Sequence, residues 1–265
     1  MNRSTLLIFC CVFVLFQANG LAQKQPSADT SSNSTASRDP QALALLAQCA
    51  GAMGVPGPVF DVYAEGQLVS TDARDPARTL VIKSKGADRV RYETSSTDRQ
   101  ETYVVNRGRG HELRAGMREP LPAHTTGYHR PEHIPALACQ IDIARPNMSI
   151  RYVGLETIGA QPVHHIKFTA TPRGNAFDPL EEVTSEFHVF LDAQSLVVIK
   201  TQTWVFAPDA IENRSLWEVY YGDYRVVGGV LMPFRLTRFA GGRKHDDITF
   251  SAVRLDAAIA DSEFE

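Results

Sequence analysis

Beyond residue 60, most of the chain alternates apolar and polar residues, which is the pattern of β-strands with one buried face. The first run has its apolar residues at alternating positions, at Phe60, Val62, Ala64 and Leu68. Gly, Asp and Pro residues separate the runs that follow, as in antiparallel hairpins. The last runs, at 216–227, 230–239 and 248–255, follow one another closely. The pattern predicts about eleven strands.

Two segments have the helical period instead. Asp39 can cap a helix that begins at Pro40 and ends before Gly54. Its apolar stripe consists of Leu43, Leu46, Ala50 and Met53. A second stripe, stopped before Pro146, consists of Ile134, Leu137, Ala138 and Ile141. A sheet with one apolar face needs a cover, and two apolar helices supply it.

These elements predict a mainly β (α+β) fold. It is a single large twisted antiparallel sheet that forms a half-barrel of about eleven strands, with two helices covering the concave face. Two irregularities are also predicted. The apolar positions of 216–227 change parity at Gly222, which predicts a bulge. Pro233 lacks a ladder donor, which predicts an edge strand or a bulge at that position.

The first 38 residues differ from the rest. Arg3 precedes an apolar run at 6–16, and small residues follow it at Ala18, Gly20 and Ala22. This is the pattern of a secretory signal peptide over 1–22, cleaved near Gly20–Ala22. Residues 23–38 are polar and rich in Ser and Thr, which predicts a disordered linker. We therefore expect a periplasmic or secreted protein whose single domain spans 39–265 and whose mature chain has no transmembrane span.

Charge and cysteine content limit the partners and the chemistry. The formal net charge of −3 comes without a basic stripe, so we expect no nucleic-acid partner. Cys49 and Cys139 remain after signal cleavage, and an oxidising compartment would allow them to form a disulfide. The alternative is two buried thiols that behave as small apolar residues.

No segment carries a recognisable reactive motif. The sequence lacks a nucleophile elbow, a zincin helix, a P-loop and a dinucleotide fingerprint. His124, His129 and His133 lie close together, but Pro131 interrupts any shared helical face. His164 and His165 are adjacent on a strand and point to opposite faces. We therefore predict no metal site, no cofactor and no catalytic residue.

Several segments resemble one known group of proteins. They are Tyr221-Gly-Asp-Tyr-Arg225, Gly228-Gly229-Val230 with Met232-Pro233, the strand at 248–255, Asp261–Phe264 and the hairpin from Gly154 to Val163. Together they are similar to the LolA/LolB superfamily of lipoprotein-carrier folds, and most of all to its uncharacterised secreted members. The resemblance implies a half-barrel with helices in its concave face. Its motifs describe hairpins and identify a fold better than an activity.

Aromatic residues are abundant in the last strands, and an apolar cavity between sheet and helices would hold an acyl chain. We predict an exported, non-catalytic protein that binds a hydrophobic ligand, such as a lipid, or an acylated protein. The predicted contact residues are Leu46, Met53, Leu137, Trp204, Trp217 and Phe234. One alternative is an envelope regulatory or structural module that binds a protein partner. The other is a hydrolase with an unrecognised site.

Overall fold

The computed structural model describes residues 36–55, 61–86, 88–122, 132–171, 184–207 and 210–265. The side chains of residues 137–139, 141–142 and 210–212 are not among those described. The predicted signal peptide and most of the predicted linker lie outside the described residues. Among the described residues, no helix combines the length and apolarity needed to cross a bilayer.

The described residues form thirteen strands, two α-helices and a terminal 3-10 helix. The first half contains α1 (Pro40–Ala52), β1 (Asp61–Ser70), β2 (Arg78–Lys85), β3 (Arg89–Ser95), β4 (Gln100–Asn106), β5 (Arg109–Arg114), β6 (Met117–Pro120) and α2 (Pro135–Ala144). The second half contains β7 (Met148–Ile158), β8 (Gln161–Ala170), β9 (Phe187–Asp192), β10 (Val198–Ala207), β11 (Ala210–Val227), β12 (Val230–Ala240), β13 (Arg243–Leu255) and the 3-10 helix Asp261–Phe264.

All thirteen strands belong to one antiparallel sheet that does not close on itself. Its order is β6-β5-β4-β3-β2-β1-β13-β12-β11-β10-β9-β8-β7. Two meanders, β1–β6 and β7–β13, therefore meet only where β1 pairs with β13, and β6 and β7 form the edges. The connection through α2 joins these two edges in sequence.

The sheet confirms the predicted antiparallel half-barrel, but the predicted details differ. Thirteen strands are described instead of about eleven. The clearest omission is β6, in which all four residues are exposed, so no apolar alternation marks it. The structure does not match the prediction that two helices cover the concave face. Only α1 has a continuous described buried face, since several α2 side chains lie outside the described residues.

Helix α1 begins as its sequence predicts. The Asp39 carboxylate accepts hydrogen bonds from the backbone N–H groups of Gln41 and Ala42. The Asp39 N–H donates to the Ile150 carbonyl of β7 at 2.9 Å, which ties the helix start to the sheet. The buried face consists of Ala42, Leu45, Leu46 and Cys49, followed by Met53. This buried face is rotated slightly from the predicted stripe, because Ala42, Leu45 and Cys49 are buried in place of Leu43 and Ala50.

The end of α1 docks on the β11–β12 turn. The Leu231 N–H donates to the Met53 carbonyl at 2.9 Å, and Gly54 adopts a left-handed φ of 68°. A Cβ atom at Gly54 would lie 2.2 Å from the Gly229 carbonyl oxygen. Only glycine fits this contact, because the position combines a positive φ with a close approach of two backbones.

The bulge predicted at Gly222 was wrong, whereas Pro233 does lie at a local edge of the sheet. The β11–β12 register runs unbroken through Gly222, with only a left-handed φ of 49° at Asp223. Strand β12 is a central strand of the sheet, but its residues before Arg235 pair only with β11. It accepts Pro233 because its pairing with β13 begins only at Arg235, so no ladder bond to β13 is lost there.

The core lies on the concave face, which we define as the face carrying Leu68, Leu80, Leu236 and Ile248. A smaller cluster on the opposite, convex face holds the chain end. Phe264 is buried there against Val104 and Ile259. Burial of Phe264 anchors the chain end on this face.

Candidate ligand-binding cavity

A cavity of about 940 Å³ lies on the concave face. Residues of β1 to β4 and of β10 to β13 line it, together with Glu132 before α2. The strand register explains the location. Ser70 of β1 pairs with Asp246 of β13, which pairs with Arg238 of β12, so all three share this face.

Much of the wall is apolar or aromatic. The residues concerned are Leu68, Leu80, Tyr92, Tyr103, Val205 and Trp217. Burial raises the pKa of Tyr92 well above its usual range and that of Tyr103 to about 12, so both phenols are neutral at ordinary pH. This part of the wall can contact an apolar ligand without burying a charge.

A buried ion pair lies at one side of the cavity. The Arg238 guanidinium donates two hydrogen bonds to the Asp246 carboxylate, each 2.6 Å long. His245 Nδ1 lies 2.7 Å from the same carboxylate. Burial alone would raise the pKa of Asp246, but hydrogen bonds from His245 and Arg238 outweigh it and lower the pKa to about 2. Asp246 is therefore ionised and fixes the Arg238 side chain.

Glu132 and Trp217 extend this network. Trp217 Nε1 donates to Glu132 Oε1 at 2.8 Å, and Arg238 Nη1 lies 3.6 Å from Glu132 Oε2. The Arg238 guanidinium also lies 5.3 Å from the centre of the Trp217 ring. Burial raises the pKa of Glu132, and the Arg238 charge offsets this only in part. The indole of Trp217 is thereby held in the cavity wall.

A second charged group forms the opposite rim. Glu101 is only 3 % exposed and accepts hydrogen bonds from Arg99 at 2.6 Å, Arg114 at 2.7 Å and Arg78 at 3.2 Å. Burial alone would raise the pKa of Glu101, but the hydrogen bonds from Arg99 and Arg114 outweigh it and lower the pKa. These charges pair with one another, so the cavity combines an apolar wall with internally neutralised polar groups.

This fold recurs in solved structures of very different sequence. A domain described as an outer-membrane lipoprotein-sorting protein from Vibrio parahaemolyticus is 10 % identical, with a TM-score of 0.54 over 85 % of this chain and 96 % of that one. A DUF1329 family protein from Desulfovibrio piger is also 10 % identical, with a TM-score of 0.56 over 84 % and 97 %. A LolA superfamily protein from Nitrosomonas europaea is 13 % identical, with a TM-score of 0.51 over 84 % and 97 %.

The fold is LolA-like. No protein-family model and no curated protein sequence matches the chain. Identities this low show the common fold alone, and the predicted resemblance is confirmed at that level.

The two tryptophans occupy opposite faces of the LolA-like sheet. Trp217 lines the cavity and pairs across the ladder with Thr203, whereas Trp204 pairs with Leu216. Because neighbouring strand residues point to opposite faces, Trp204 lies on the convex face. There its indole N–H donates to Glu186 at 3.1 Å, and the Arg214 guanidinium lies 4.2 Å from its ring centre. Of these two predicted contact residues, the structure brings only Trp217 to the cavity.

Three of the other predicted contact residues do not line the cavity. Leu46, Met53 and Phe234 are buried in the packed core, where α1 meets the concave face. The side chain of Leu137 lies outside the described residues. Leu46 and Met53 belong to the buried side of α1, Phe234 belongs to the same core cluster, and a role in ligand contact stays a prediction for all three.

Cys49 is a free, buried thiol in the structure, and the side chain of Cys139 lies outside the described residues. The Cys49 sulfur is 3.9 Å from the Met53 sulfur. Burial raises the pKa of Cys49 to about 12, so this thiol is unreactive at ordinary pH. The disulfide between Cys49 and Cys139 stays a prediction.

Of the three clustered histidines, His124 and His129 lie outside the described residues. His133 is 1 % exposed, and its Nε2 lies 3.1 Å from the Ser84 hydroxyl. Burial lowers the pKa of His133 to about 3, so the ring is neutral. Within the described ranges, no group of three or more metal-ligating side chains comes together.

The sequence interpretation missed Arg238, Asp246 and Glu132. A signal for Arg238 was present. Val230, Met232, Phe234 and Leu236 form the inward series of β12, and Arg238 continues it. A charged residue at an inward position requires a buried partner, and Asp246 is that partner. The sequence offers no comparable indication for Glu132, because this residue lies in a segment without hydrophobic periodicity.

Proposed function

We propose that this chain is an exported cell-envelope protein that binds a hydrophobic ligand, or the acyl group of an acylated protein, without catalysing a reaction. The cavity beside Trp217 is the observation that carries the proposal. Its volume of about 940 Å³ lies within the range of roughly 300–1,000 Å³ that is usual for small-molecule sites.

The cavity wall supports an apolar ligand. An acyl chain against Leu68, Leu80 and Trp217 would gain about 25 cal/mol for each Å² of apolar surface removed from water. The nearby ion pairs would not oppose binding, because Arg238 and Glu101 already have partners. A polar head group would lie at the rim, near Arg74 and Arg99. The lipoprotein-sorting description of the Vibrio neighbour agrees with this ligand class.

The packing of α1 favours a second candidate. Leu46 and Met53 are nearly fully buried, and Gly54 locks the helix end on the β11–β12 turn. A helix fixed in this way occupies part of the concave face permanently. The alternative is therefore an envelope module in which the cavity is a remnant of packing and the outer surface binds a protein partner.

The chain's two tryptophans provide a direct test. In the Trp204→Phe variant, Trp217 is the sole tryptophan and lies in the cavity wall; in Trp217→Phe, only Trp204 on the convex face remains. A brominated fatty acid quenches tryptophan fluorescence on contact. We expect saturable quenching of the Trp204→Phe protein and little quenching of the Trp217→Phe protein.

Unbrominated stearate is the control, and it should compete with the brominated acid. Equal quenching of both variants, or none in either, would remove the cavity as the acyl site. Mass spectrometry of natively purified protein would then identify any lipid carried from the cell. A lipid-free protein that captures a defined envelope protein would support the second candidate.

Export is proposed from the sequence alone. The predicted signal peptide 1–22 and linker 23–38 lie before or at the edge of the described residues. N-terminal sequencing of protein recovered from the cell envelope should give a start near residue 21–23. An unprocessed N-terminus in the cytoplasm would contradict the proposed location.

A further inference from the structure

The last residues of the sequence lie across a cationic part of the convex face. Two rows of side chains cross β2, β3 and β4 there. They consist of Lys85, Arg89 and Asn106 in one row and of Lys83, Arg91 and Val104 in the other. We call these six residues the tail groove, and we call residues 257–265, which follow β13, the tail.

The two rows place like charges next to each other. In each row the lysine of β2 lies directly opposite the arginine of β3. Like charges in this position destabilise a sheet unless other groups compensate them. Two carboxylates of the sheet lie nearby, with Asp61 at 3.9 Å from Lys85 and Glu93 at 3.6 Å from Lys83. These balance half of the four positive charges, so the tail groove suits an occupant with two negative charges.

The tail supplies these two charges. The Asp261 carboxylate lies 2.8 Å from Lys85 Nζ and 2.9 Å from Arg89 Nη1. The Glu263 carboxylate lies 2.8 Å from Lys83 Nζ. Hydrogen bonds from the two lysines lower the pKa of Asp261 and of Glu263, so both are ionised at ordinary pH.

An aromatic anchor and two hydrogen bonds to the tail backbone complete the recognition. Phe264 is 1 % exposed and packs against Val104. Asn106 Nδ2 donates to the Phe264 carbonyl at 3.2 Å, and Arg91 Nη1 donates to the Glu263 carbonyl at 3.2 Å. The tail groove therefore recognises an acidic segment that carries an aromatic residue.

The connection between β13 and the tail favours its release. Asp256 and Ala258 have left-handed φ values of 50° and 52°. Aspartate tolerates this region, but alanine is strained there because of its Cβ atom. The ion pairs add little to the docking, because the side chains of Asp261 and Glu263 are 69 % and 37 % exposed. The tail can therefore open locally at a lower cost than the sheet unfolds.

An identical tail from a second copy would make the same contacts without the strained connection. We propose that the tail exchanges between two copies of this chain, so that the tail of each copy binds the tail groove of the other. Exchange of an identical element is a low-cost route to a two-fold symmetric dimer, and short strained connections favour it.

The first test is the oligomeric state of the full chain, measured by size-exclusion chromatography with light scattering over a series of concentrations. We expect a dimer whose fraction rises with concentration. Ala258→Gly should lower the association constant by roughly 10–1000-fold, because glycine removes the strain from both monomers. Ala260→Gly is the matched control. Ala260 has a φ of −68°, so glycine relieves no strain there and the dimer should persist.

Charge reversal separates binding within one chain from binding between chains. A chain with Lys85→Glu and Arg89→Glu repels its own Asp261, and a chain with Asp261→Lys is repelled by its own tail groove. Each should be mainly monomeric alone. An equimolar mixture should form a heterodimer, because both tail grooves then meet a tail of opposite charge. The three substitutions in one chain restore the match, so this control should fold and behave like wild type.

Three results would overturn the proposal. The first is a wild-type chain that stays monomeric throughout the concentration series, and the second is a variant mixture without heterodimer. The third is a dimer that persists in Phe264→Ala, because such a dimer would use another surface. The tail groove and the cavity lie on opposite faces, so failure of the exchange would leave the fatty-acid proposal standing, and the reverse also holds.

Discussion

At the scale of single residues, Arg238 determines the polar character of the cavity. Its position in the inward series of β12 buries a guanidinium, and two 2.6 Å hydrogen bonds from Arg238 to Asp246 compensate for the lost solvation. The same guanidinium lies against Trp217 and near Glu132. Removing one partner therefore affects stability and the cavity wall together.

Asp246→Asn should destabilise the fold by about 3–5 kcal/mol, because the buried Arg238 charge would lose both of its hydrogen bonds to a carboxylate and keep only Glu132, at 3.6 Å, as an anionic neighbour. Urea unfolding measures the change. Asp247→Asn is the matched control. Asp247 is adjacent, partly exposed and bound to Thr237 and Lys244, so its loss should cost no more than about 1 kcal/mol. Equal effects of the two substitutions would contradict the assignment of the buried pair.

His133 predicts how stability depends on acid. Its pKa is about 3 in the folded protein and ordinarily about 6.5 in an unfolded chain, so the unfolded state binds the proton first as the pH falls. Its contribution is complete above pH ~6.5 and is lost between there and about pH 3, at roughly 1.4 kcal/mol per pH unit.

The measurement compares wild type with His133→Gln by urea unfolding at pH 7.5 and pH 5.0. Wild type should lose about 2 kcal/mol more than the variant between these pH values. Carboxylates titrate alike in both proteins, so the difference isolates His133. Parallel losses in both proteins would show that His133 is not a buried neutral ring.

At the scale of elements, α1 is fixed at both ends. Asp39 caps its start and connects it to β7, and Gly54 places its end against the Gly229 carbonyl. Strand β12 is unpaired with β13 in this region, and the helix end supplies the acceptor for the Leu231 N–H. The helix therefore completes the hydrogen bonding of the sheet besides covering it.

Gly54→Ala should destabilise the protein by more than about 1–2 kcal/mol. An alanine is strained at this left-handed φ, and its Cβ atom would also clash with the Gly229 carbonyl oxygen at 2.2 Å. Gly51→Ala, within the same helix, should stabilise it by about 0.5–1 kcal/mol, since its Cβ would meet nothing within 4 Å. Thermal unfolding of the two variants gives the comparison. The docking would be disproved by similar melting temperatures.

At the scale of the whole molecule, the β1–β13 ladder joins the two meanders, and the cavity lies across this junction. The register shifts between Glu65 and Gly66, where β1 comes very close to β13. A Cβ atom at Gly66 would lie 2.1 Å from the Thr249 carbonyl oxygen. The absence of a side chain at one position therefore permits the junction.

Gly66→Ala should reduce both stability, by about 1–3 kcal/mol or more, and binding of the brominated fatty acid, because the backbones at the junction must separate. Gly222→Ala, in β11, should be tolerated because its Cβ would meet nothing within 4 Å. Urea unfolding and fluorescence quenching on the same samples test both effects. Normal quenching by a destabilised Gly66→Ala protein would show that the cavity does not depend on the junction.

The sequence by itself determined the antiparallel sheet and the start of α1, because alternation and capping act over a few neighbours. Strand β6 escaped detection because no face of it is buried. Trp204 was assigned to the cavity because its clustering with other aromatics in sequence says nothing about which face it occupies; the ladder register decides that.

Only the tertiary structure decided the composition of the sites. Arg238, Asp246 and Glu132 come from β12, β13 and the segment before α2. Such contacts depend on strand order and register, which are set by the packing of the whole sheet. Local periodicity indicated the inward series of strands such as β12, whereas long-range pairing determined the face of Trp204 and which inward residues meet.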